Sequence, residues 1–426
     1  MKSQQSVNGQ PTQKVDNQSE KEQKPKIHHA KSKRNQIEEY LLARFRFRYN
    51  ELNGRIEFTG KAKDDYRALE DYELNSIIRK LDNEKGVEAA PEKLKVILKS
   101  DFTPRYNPIR SYLHALSDVP PTGTKAINAL AATVHVEKPE LFELSLTKWL
   151  VASIANALAP EGCQNQTCLV LTGGQGAFKT TWLNLLCPPA LTRYLFCGKI
   201  NLESKDTLLL LGEKLIINLD DQLRSLNKRD GETVKTLITQ GNVTVRRPYD
   251  ALFTELPRIA SFLGSVNGND FLTDPTGSRR FLPFEVLNKG IDIDAAQRID
   301  MTQVWAEAYA LYRAGMTYWF TADEAAELFD NNEAFQVHTP EYELLLDYFE
   351  PVEKKERATD FLTNAKIKEF LERSTAQKLR DKQLSEALQK LRFLRIMKKM
   401  DGKPMYRWAL RERSEEERQR RNQDLD

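Results

Sequence analysis

Apolar residues alternate with polar ones, or recur at helical spacing, along most of the chain from residue 36 onward. A helical pattern at 36–44 leads into an alternating segment, Phe45–Tyr49, and Asn53-Gly54 predicts a hairpin turn before a second strand. Residues 64–100 carry apolar side chains at helical spacing. These patterns predict a small α+β domain over residues 36–110.

The most apolar segments lie in the middle of the chain. Residues 167–172, 214–221 and 258–267 are rich in Leu, Ile and Val, and they predict buried strands that lead into polar residues. Helical patterns precede and separate these strands. We therefore expect an α/β core over residues 111–335, with a helical lead-in.

The last folded part predicts three helices, at 341–349, 359–373 and 381–393, followed by two strands joined at Asp401-Gly402. This order is typical of a winged-helix-like domain, assigned to residues 341–411. Residues 354–411 hold 17 Lys or Arg against seven Asp or Glu, a net charge of +10. Such a concentration favours DNA binding, with Lys398, Lys399 and Lys403 as candidate contacts. The alternative is a winged helix that makes only protein contacts.

Composition adds the cellular context. The chain has a net charge of only +3, so a nucleic-acid surface has to come from local segregation of charge. Residues 1–35 predict a disordered basic tail and residues 412–426 a charged tail. Four cysteines without metal spacing favour reduced thiols and no zinc. The sequence shows no apolar run of about 18 residues, and a soluble cytoplasmic protein is expected.

A glycine-rich turn follows the first strand of the core and leads into a short helix. Its backbone N–H groups can face a polyphosphate, Lys179 can reach the β and γ oxygens, and the Thr180 hydroxyl can hold Mg²⁺. The candidate nucleotide-binding residues are Gly173, Gly174, Gln175, Gly176, Ala177, Phe178, Lys179, Thr180 and Thr181.

Phe178 stands where the pattern G-x-x-x-x-G-K-[ST] has its second glycine. We expect Phe178 to be tolerated through a negative, helix-like φ, while Gly173, Gly174 and Gly176 carry the conformations that only glycine adopts cheaply. The alternative is an ordinary strand-to-helix turn with flexible glycines.

Carboxylates and a carboxamide follow the later strands. Asp220 is the candidate metal ligand and Asp221 the candidate base that orients and deprotonates water. A pair of aspartates after a strand also occurs as a helix N-cap or turn. Asn267, after the strand at 258–267, could hold the attacking water or contact the γ-phosphate.

Basic residues after these strands suggest further roles. Arg279 and Arg280, on the turn at 274–281, are candidate arginine fingers, which usually act on a neighbouring subunit's nucleotide and would require oligomerisation. A helix with Lys235 leads to a β-prone segment that ends in the candidate DNA contacts Arg246, Arg247 and Tyr249. The two arginines could instead pair with carboxylates across a subunit interface.

Five stretches together resemble the virulence-associated E (VapE/VirE-type) proteins of mobile elements and prophages, which look like relatives of superfamily 3 helicases and viral primase-helicases. They are residues 106–113, 173–180, 215–221, 240–249 and 271–281. The resemblance implies an AAA+-like P-loop ATPase that uses ATP and Mg²⁺, assembles into a hexameric ring and acts on single-stranded or forked DNA, with a primase as a further partner. Lys179 and Thr180 then take the Walker A roles, Asp220 and Asp221 the Walker B roles and Asn267 the sensor role.

Two functions follow from this reasoning. The first is an ATP-dependent DNA helicase or replication ATPase of a mobile element. The second is a DNA-binding replication initiator or adaptor that uses ATP for assembly without unwinding. A primase that uses Asp220 and Asp221 as its metal pair is disfavoured, because adjacent residues in a strand point to opposite faces.

Overall fold

The structure, a computed structural model, describes residues 32–161, 164–201, 204–223, 233–247, 252–273, 278–352, 357–400 and 403–425. The chain divides into two compact units. The first comprises the N-terminal residues to Asn50 together with Arg55–Arg105, and the second comprises Glu51–Gly54 and Tyr106–Asp426. This division does not separate residues 341–411 from the core, so that predicted boundary stays a prediction.

The first unit packs helices against an antiparallel sheet. Its elements are α1 (Lys33–Arg44), β1 (Phe45–Asn50), β2 (Arg55–Gly60), β3 (Arg67–Ala68), α2 (Asp71–Lys85) and α3 (Pro91–Leu98). β1 and β2 pair in register from Phe45 with Gly60 to Asn50 with Arg55. In the connecting turn Gly54 has a φ of 68°, a conformation that favours glycine. The helix, strand and turn order agrees with the sequence pattern.

The front part of the second unit alternates helices and strands. Its elements are β4 (Arg105–Tyr106), which begins at the boundary, α4 (Pro108–Ala115), α5 (Lys125–Ala131), α6 (Pro139–Leu158), β5 (Cys168–Thr172), α7 (Lys179–Leu185), β6 (Leu195–Cys197), α8 (Lys205–Glu213), β7 (Ile216–Asp220), α9 (residues 233–239), β8 (Asn242–Val245), β9 (Thr254–Pro257), β10 (Ser261–Ser265), β11 (Phe281–Glu285), α10 (Ile293–Arg298), α11 (Met301–Arg313) and α12 (Ala322–Glu333).

A five-stranded parallel sheet forms the centre of this part, in the order β11-β5-β10-β7-β6. This confirms the expected α/β fold with a parallel sheet. β10 is inserted between β5 and β7, although it follows both in sequence. Because the strands are parallel, their carboxyl ends lie at one edge of the sheet, where ligands of open α/β sheets bind.

Alternate residues of these strands enter two separate cores. Leu169, Leu171 and Leu263 pack with the helices of the lead-in, including the fully buried Trp149 of α6. Cys168, Val170, Ile217 and Phe262 pack on the other face, against residues of α8 and α9. Burial on both faces explains why the strands read as nearly continuous apolar runs.

Helix α6 corrects one expectation from the sequence. Its 20 residues are long and apolar enough to cross a membrane by length and composition, but 83% of its most apolar 18-residue window is buried inside the fold. The Trp149 Nε1 also donates to the Phe262 carbonyl of β10, at 3.0 Å. α6 is therefore the core helix of the second unit.

The C-terminal part has three helices packed on an antiparallel sheet and a final helix. Its elements are α13 (Pro340–Tyr348), β12 (Phe349–Pro351), β13 (Asp360–Leu362), α14 (Asn364–Thr375), α15 (Asp381–Lys390), β14 (Leu394–Met400), β15 (Lys403–Glu412) and α16 (Glu415–Leu425). β15 pairs with β12, β13 and β14. The second predicted helix begins later than expected, because residues 360–362 form β13 and Thr363 caps α14 by accepting from the Lys366 N–H.

Candidate functional site

The glycine-rich turn is a loop at the carboxyl edge of the parallel sheet, between Thr172 of β5 and Lys179 of α7. Gly173 has a φ of 120° and Gly176 a φ of 84°, which glycine adopts at little cost. A Cβ on Gly173 would also lie 3.0 Å from the Val286 carbonyl oxygen. Gly174 does not have a positive φ, so only two of the three glycines carry the expected conformation.

The expectation for Phe178 was wrong. Phe178 has φ 56° and ψ 18°, in the left-handed region, and the residue is 54% exposed. Phe178 thus replaces the second glycine of the motif but keeps a backbone conformation that favours glycine. Its carbonyl accepts from the Trp182 N–H at 2.9 Å, and the fully buried Trp182 ties the first turn of α7 to the core.

Lys179 lies inside the loop rather than in open solvent, with 6% of its surface exposed. Its Nζ donates to the Gly173 carbonyl at 3.0 Å, the Gly174 carbonyl at 2.6 Å and the Asn267 Oδ1 at 3.3 Å. Burial lowers the pKa of Lys179, while the charges of Asp221 and Asp220 oppose that shift. An anionic group bound in the loop would favour the charged ammonium and replace these carbonyl contacts.

Thr180 and Asp220 come together across the site. The Thr180 Oγ1 donates to the Asp220 Oδ1 at 2.6 Å, the Ser265 Oγ donates to the same carboxylate oxygen at 2.6 Å, and the two hydroxyl oxygens lie 3.2 Å apart. Ser265 pairs with Asp220 in the β10–β7 register, and Thr180 lies in the first turn of α7, directly after the loop. The structure thus brings the predicted metal ligands together.

Sequence reasoning missed Ser265 and two further polar residues at this edge. The Thr172 Oγ1, at the end of β5, donates to the Asn269 Oδ1 at 2.8 Å. The Gly268 N–H donates to the Gly173 carbonyl at 3.3 Å. Their position was the available signal: Thr172 and Ser265 end β5 and β10, and Asn269 lies four residues after β10, at the same edge of the sheet.

Asp221 lies one residue beyond β7, with a φ of 49° and an exposed side chain. Its N–H donates to the Ser265 carbonyl at 3.1 Å. This left-handed residue turns the chain away from the strand, and Asp tolerates that conformation better than most residues. Asp220 ends β7 whereas Asp221 lies on the turn after it, so the rule that adjacent strand residues point to opposite faces does not apply to this pair.

The two candidate finger arginines lie at the other end of the sheet. Arg279 and Arg280 form a short 3₁₀ turn at the amino end of β11, and Arg279 is exposed whereas Arg280 is half-buried. Phe281, the next residue, pairs with Cys168 at the start of β5. About four residues of strand, on the order of 13 Å, separate this end from the loop. Neither arginine lies at the glycine-rich loop of its own chain.

The candidate DNA contacts have different environments. Arg246 is exposed, whereas Lys235 is 7% exposed and Arg247 is 8% exposed. The Arg247 guanidinium donates to the carbonyls of Leu52 at 2.7 Å and Glu51 at 3.1 Å. Arg247 is therefore buried within the second unit and is not part of an exposed surface. The remaining candidates lie where the structure describes no side chain: Tyr249, Lys398, Lys399 and Lys403.

The side chains at the carboxyl edge suit a nucleotide with a hydrated metal ion. Among the described residues, no three His, Cys, Asp or Glu side chains form a metal cluster. Thr180 and Asp220 offer two oxygen atoms, and Mg²⁺ is commonly held by one or two protein oxygens, with phosphates and water completing its shell. The loop provides space as well, because a Cβ on Gly174 or Gly176 would meet no atom within 4 Å.

The fold and this edge define an α/β protein with a central parallel sheet and a glycine-rich loop at its carboxyl end. The model of the virulence-associated protein E-like domain matches residues 116–337, which is more than half of the chain. The chain belongs to the virulence-associated protein E-like family.

Solved structures share the fold at low sequence identity. The apo structure of the NrS-1 C-terminal region has a TM-score of 0.50 and 15% identity, and the match covers 89% of this chain and all of that one. The A form of the same apo region has a TM-score of 0.47 and 15% identity, with 88% of this chain and 98% of that chain covered. No curated protein matches this sequence.

Proposed function

We propose that this chain is an ATP-dependent DNA helicase or replication ATPase of a mobile element. One observation carries the proposal: the 2.6 Å contact between the Thr180 hydroxyl and the Asp220 carboxylate. It joins the end of the glycine-rich loop to the strand that ends in two carboxylates, as a metal-assisted phosphoryl-transfer site requires. The family membership and the sheet order support an AAA+-like P-loop core.

Each side chain of the proposed site has a separate role in binding ATP and the metal ion. Lys179 binds the β- and γ-phosphate oxygens of ATP. To do so, its ammonium group gives up its hydrogen bonds to the carbonyls of Gly173 and Gly174. Thr180 and Asp220 hold Mg²⁺, and Ser265 keeps the shared carboxylate oxygen in place. Mg²⁺, when bound, neutralises charge that develops on the phosphoryl oxygens.

The residues that activate water are exposed at the same carboxyl edge of the sheet. Asp221 accepts the proton of the attacking water, and Asn267, which contacts Lys179 at 3.3 Å, orients that water or the γ-phosphate. Both side chains are exposed, so they can reach a ligand that lies over the loop.

The position of the arginines supports an oligomeric ring. Arg279 lies at the amino end of β11 and cannot reach the nucleotide at the carboxyl edge of its own sheet. Because Arg279 is exposed, we assign it, rather than Arg280, as the finger that acts on a neighbouring subunit's ATP. A hexamer is the assembly that the family resemblance implies.

Exposed aromatic and basic side chains support DNA as the partner. Leu252 and Phe253, which precede β9, are 78% and 70% exposed, and Arg246 follows β8 on the same antiparallel pair. In the C-terminal part, which we propose is a winged helix, the Arg395 guanidinium lies 4.2 Å from the centre of the Tyr406 ring. Tyr406 is 54% exposed. Cationic and aromatic side chains together bind single strands through phosphate contacts and base stacking.

The second function, a DNA-binding initiator or adaptor that uses ATP only for assembly, is favoured by Asp221. Aspartate is one methylene group shorter than glutamate, so the Asp221 carboxylate reaches less far. Asp221 is also exposed on a turn and is not held in a strand. Slow turnover would suit a switch in assembly better than processive unwinding.

The rate of ATP hydrolysis, measured with and without single-stranded DNA, tests the proposal. We expect DNA-stimulated turnover in the native chain, its loss in Lys179→Ala and much weaker nucleotide binding in that variant. Lys205→Ala, which removes an exposed lysine at the start of α8, is the matched control. Full DNA-stimulated turnover in Lys179→Ala would refute the proposed site.

A strand-displacement assay separates the two functions. Unwinding of a forked duplex at saturating ATP supports the helicase. Assembly on DNA without displacement, observed as an ATP-dependent increase in the mass of the complex, supports the initiator or adaptor.

A further inference from the structure

A cavity of about 930 Å³ lies beside the glycine-rich loop, and Gly174 is part of its lining. Its walls come from the segment between α5 and α6, the first turns of α6 and the residues that follow β11. Gly174 is the one lining residue for which the sequence predicted a role. Since the cavity adjoins the loop, a ligand whose phosphates lie in the loop can extend into it.

Backbone hydrogen bonds hold the walls in place. The Leu287 N–H donates to the His135 carbonyl at 2.9 Å, and the Val286 N–H donates to the Thr172 carbonyl of β5 at 3.0 Å. These bonds join the segment after β11 both to the lead-in and to the strand that precedes the loop. The cavity is therefore preformed, and a ligand would not have to order its walls.

One part of the lining is apolar. Val134 and Val136 are buried, and Leu287 lines the same cavity with 42% of its surface exposed. A flat heteroaromatic ring placed against these side chains would remove apolar surface from water.

The charged part of the lining is acidic. Among the described residues of the lining, Glu140, Glu143 and Glu285 are acidic and Lys289 is the one lysine or arginine. Carboxylates repel phosphate and accept hydrogen bonds from hydroxyl and amino groups. The lysine-containing loop and the acidic cavity thus orient an asymmetric ligand, with its anionic end at Lys179 and its donor-rich end at the glutamates.

We propose that this cavity binds the nucleoside of the triphosphate. This inference rests on the proposed ATP site in the loop. The base lies against Val134, Val136 and Leu287, and the ribose hydroxyls or the exocyclic amino group of the base donate to Glu140 and Glu143.

Ala132 offers a way to fill the cavity without changing the core. It is exposed, lines the cavity and ends α5 in an ordinary helical conformation. In Ala132→Trp we expect the affinity for ATP to fall at least tenfold, while the affinity for inorganic tripolyphosphate stays unchanged. Ala129→Trp is the matched control, because Ala129 is exposed on the same helix and is not part of the lining.

Replacement of the carboxylates provides a second variant of nearly unchanged shape. In Glu140→Gln/Glu143→Gln we expect weaker binding of ATP, with tripolyphosphate bound equally or more tightly because negative charge has been removed. Glu137→Gln, on an exposed residue of the same segment, is the control. Tighter binding of both ligands by the double variant would show that the glutamates only repel anions, and would overturn the inference.

The two ligands separate failure of this inference from failure of the proposed function. If the native chain binds tripolyphosphate and ATP equally well, or if Ala132→Trp weakens both equally, the nucleoside does not occupy the cavity although the phosphate site stands. If the native chain binds neither ligand, both the proposed function and this inference are refuted.

Discussion

The backbone conformation of Phe178 predicts that glycine at this position gives a more stable chain than alanine, the reverse of the order in a helix. Phe178 caps α7 in the left-handed region, with φ 56°. Replacement by glycine removes the steric cost of that conformation, and replacement by alanine keeps it. Both changes delete the same half-exposed ring, so the lost ring contacts cancel when the two variants are compared with each other.

The expected difference follows from two opposing terms. A side chain in the left-handed region costs about 1–2 kcal/mol, and glycine costs about 0.5–1 kcal/mol in chain entropy relative to alanine. Phe178→Gly should therefore unfold with a free energy about 0.5–1 kcal/mol higher than that of Phe178→Ala. A helix-like φ would reverse the sign, because glycine in a helix is about 1 kcal/mol less favourable than alanine.

Unfolding in denaturant, followed by tryptophan fluorescence, measures this difference, since all five tryptophans belong to the second unit. Ala177→Gly is the matched control: Ala177 does not have a positive φ, so glycine should destabilise the chain there. Equal or greater stability of Phe178→Ala compared with Phe178→Gly would refute the reasoning. The ATPase rates of the same variants would show whether the exposed ring affects turnover.

The remaining predictions concern packing and thiol reactivity. A Cβ on Gly264 would lie 2.2 Å from the Leu223 Cδ1, so Gly264→Ala should lower the free energy of unfolding by about 1–3 kcal/mol. Leu223 is fully buried, so Leu223→Ala should itself cost about 2–5 kcal/mol in the native chain and less in the Gly264→Ala background, where the added methyl group takes up part of the vacated space; equal costs in the two backgrounds would contradict this packing. Burial raises the pKa of Cys187 to about 12 and also raises that of Cys168. Because the thiolate is the nucleophile, alkylation at pH 8 should modify exposed Cys197 well before either buried thiol, as mass spectrometry of the peptides would show; equal rates would contradict the burial.

The site illustrates how one inserted strand assembles polar groups that are distant in sequence. β10 lies between β5 and β7 and places Ser265 beside both Asp220 and Thr180. In Ser265→Ala the Thr180 hydroxyl still donates to the Asp220 carboxylate, so this variant tests how far the Ser265 hydroxyl holds that carboxylate in place.

Local patterns in the sequence were sufficient for the elements and for part of the site. The apolar runs at 167–172, 214–221 and 258–267 predicted β5, β7 and β10, because strands buried on both faces need apolar residues at nearly every position. The glycine-rich loop and the carboxylates were found in the same way, since Gly173 and Asp220 lie directly after or at the end of these strands. Such features depend on neighbours in the chain, which a sequence displays.

Only the tertiary structure decided which of these residues meet. Strand order and register depend on hydrogen bonds between distant segments, so the sequence could not show that Ser265 contacts Asp220 or that Arg279 lies at the opposite end of the sheet from the loop. The burial of Arg247 and the left-handed Phe178 have the same origin. Carbonyl groups distant in sequence bind the Arg247 guanidinium, and the left-handed conformation of Phe178, which costs a few kcal/mol, persists because its surroundings determine it.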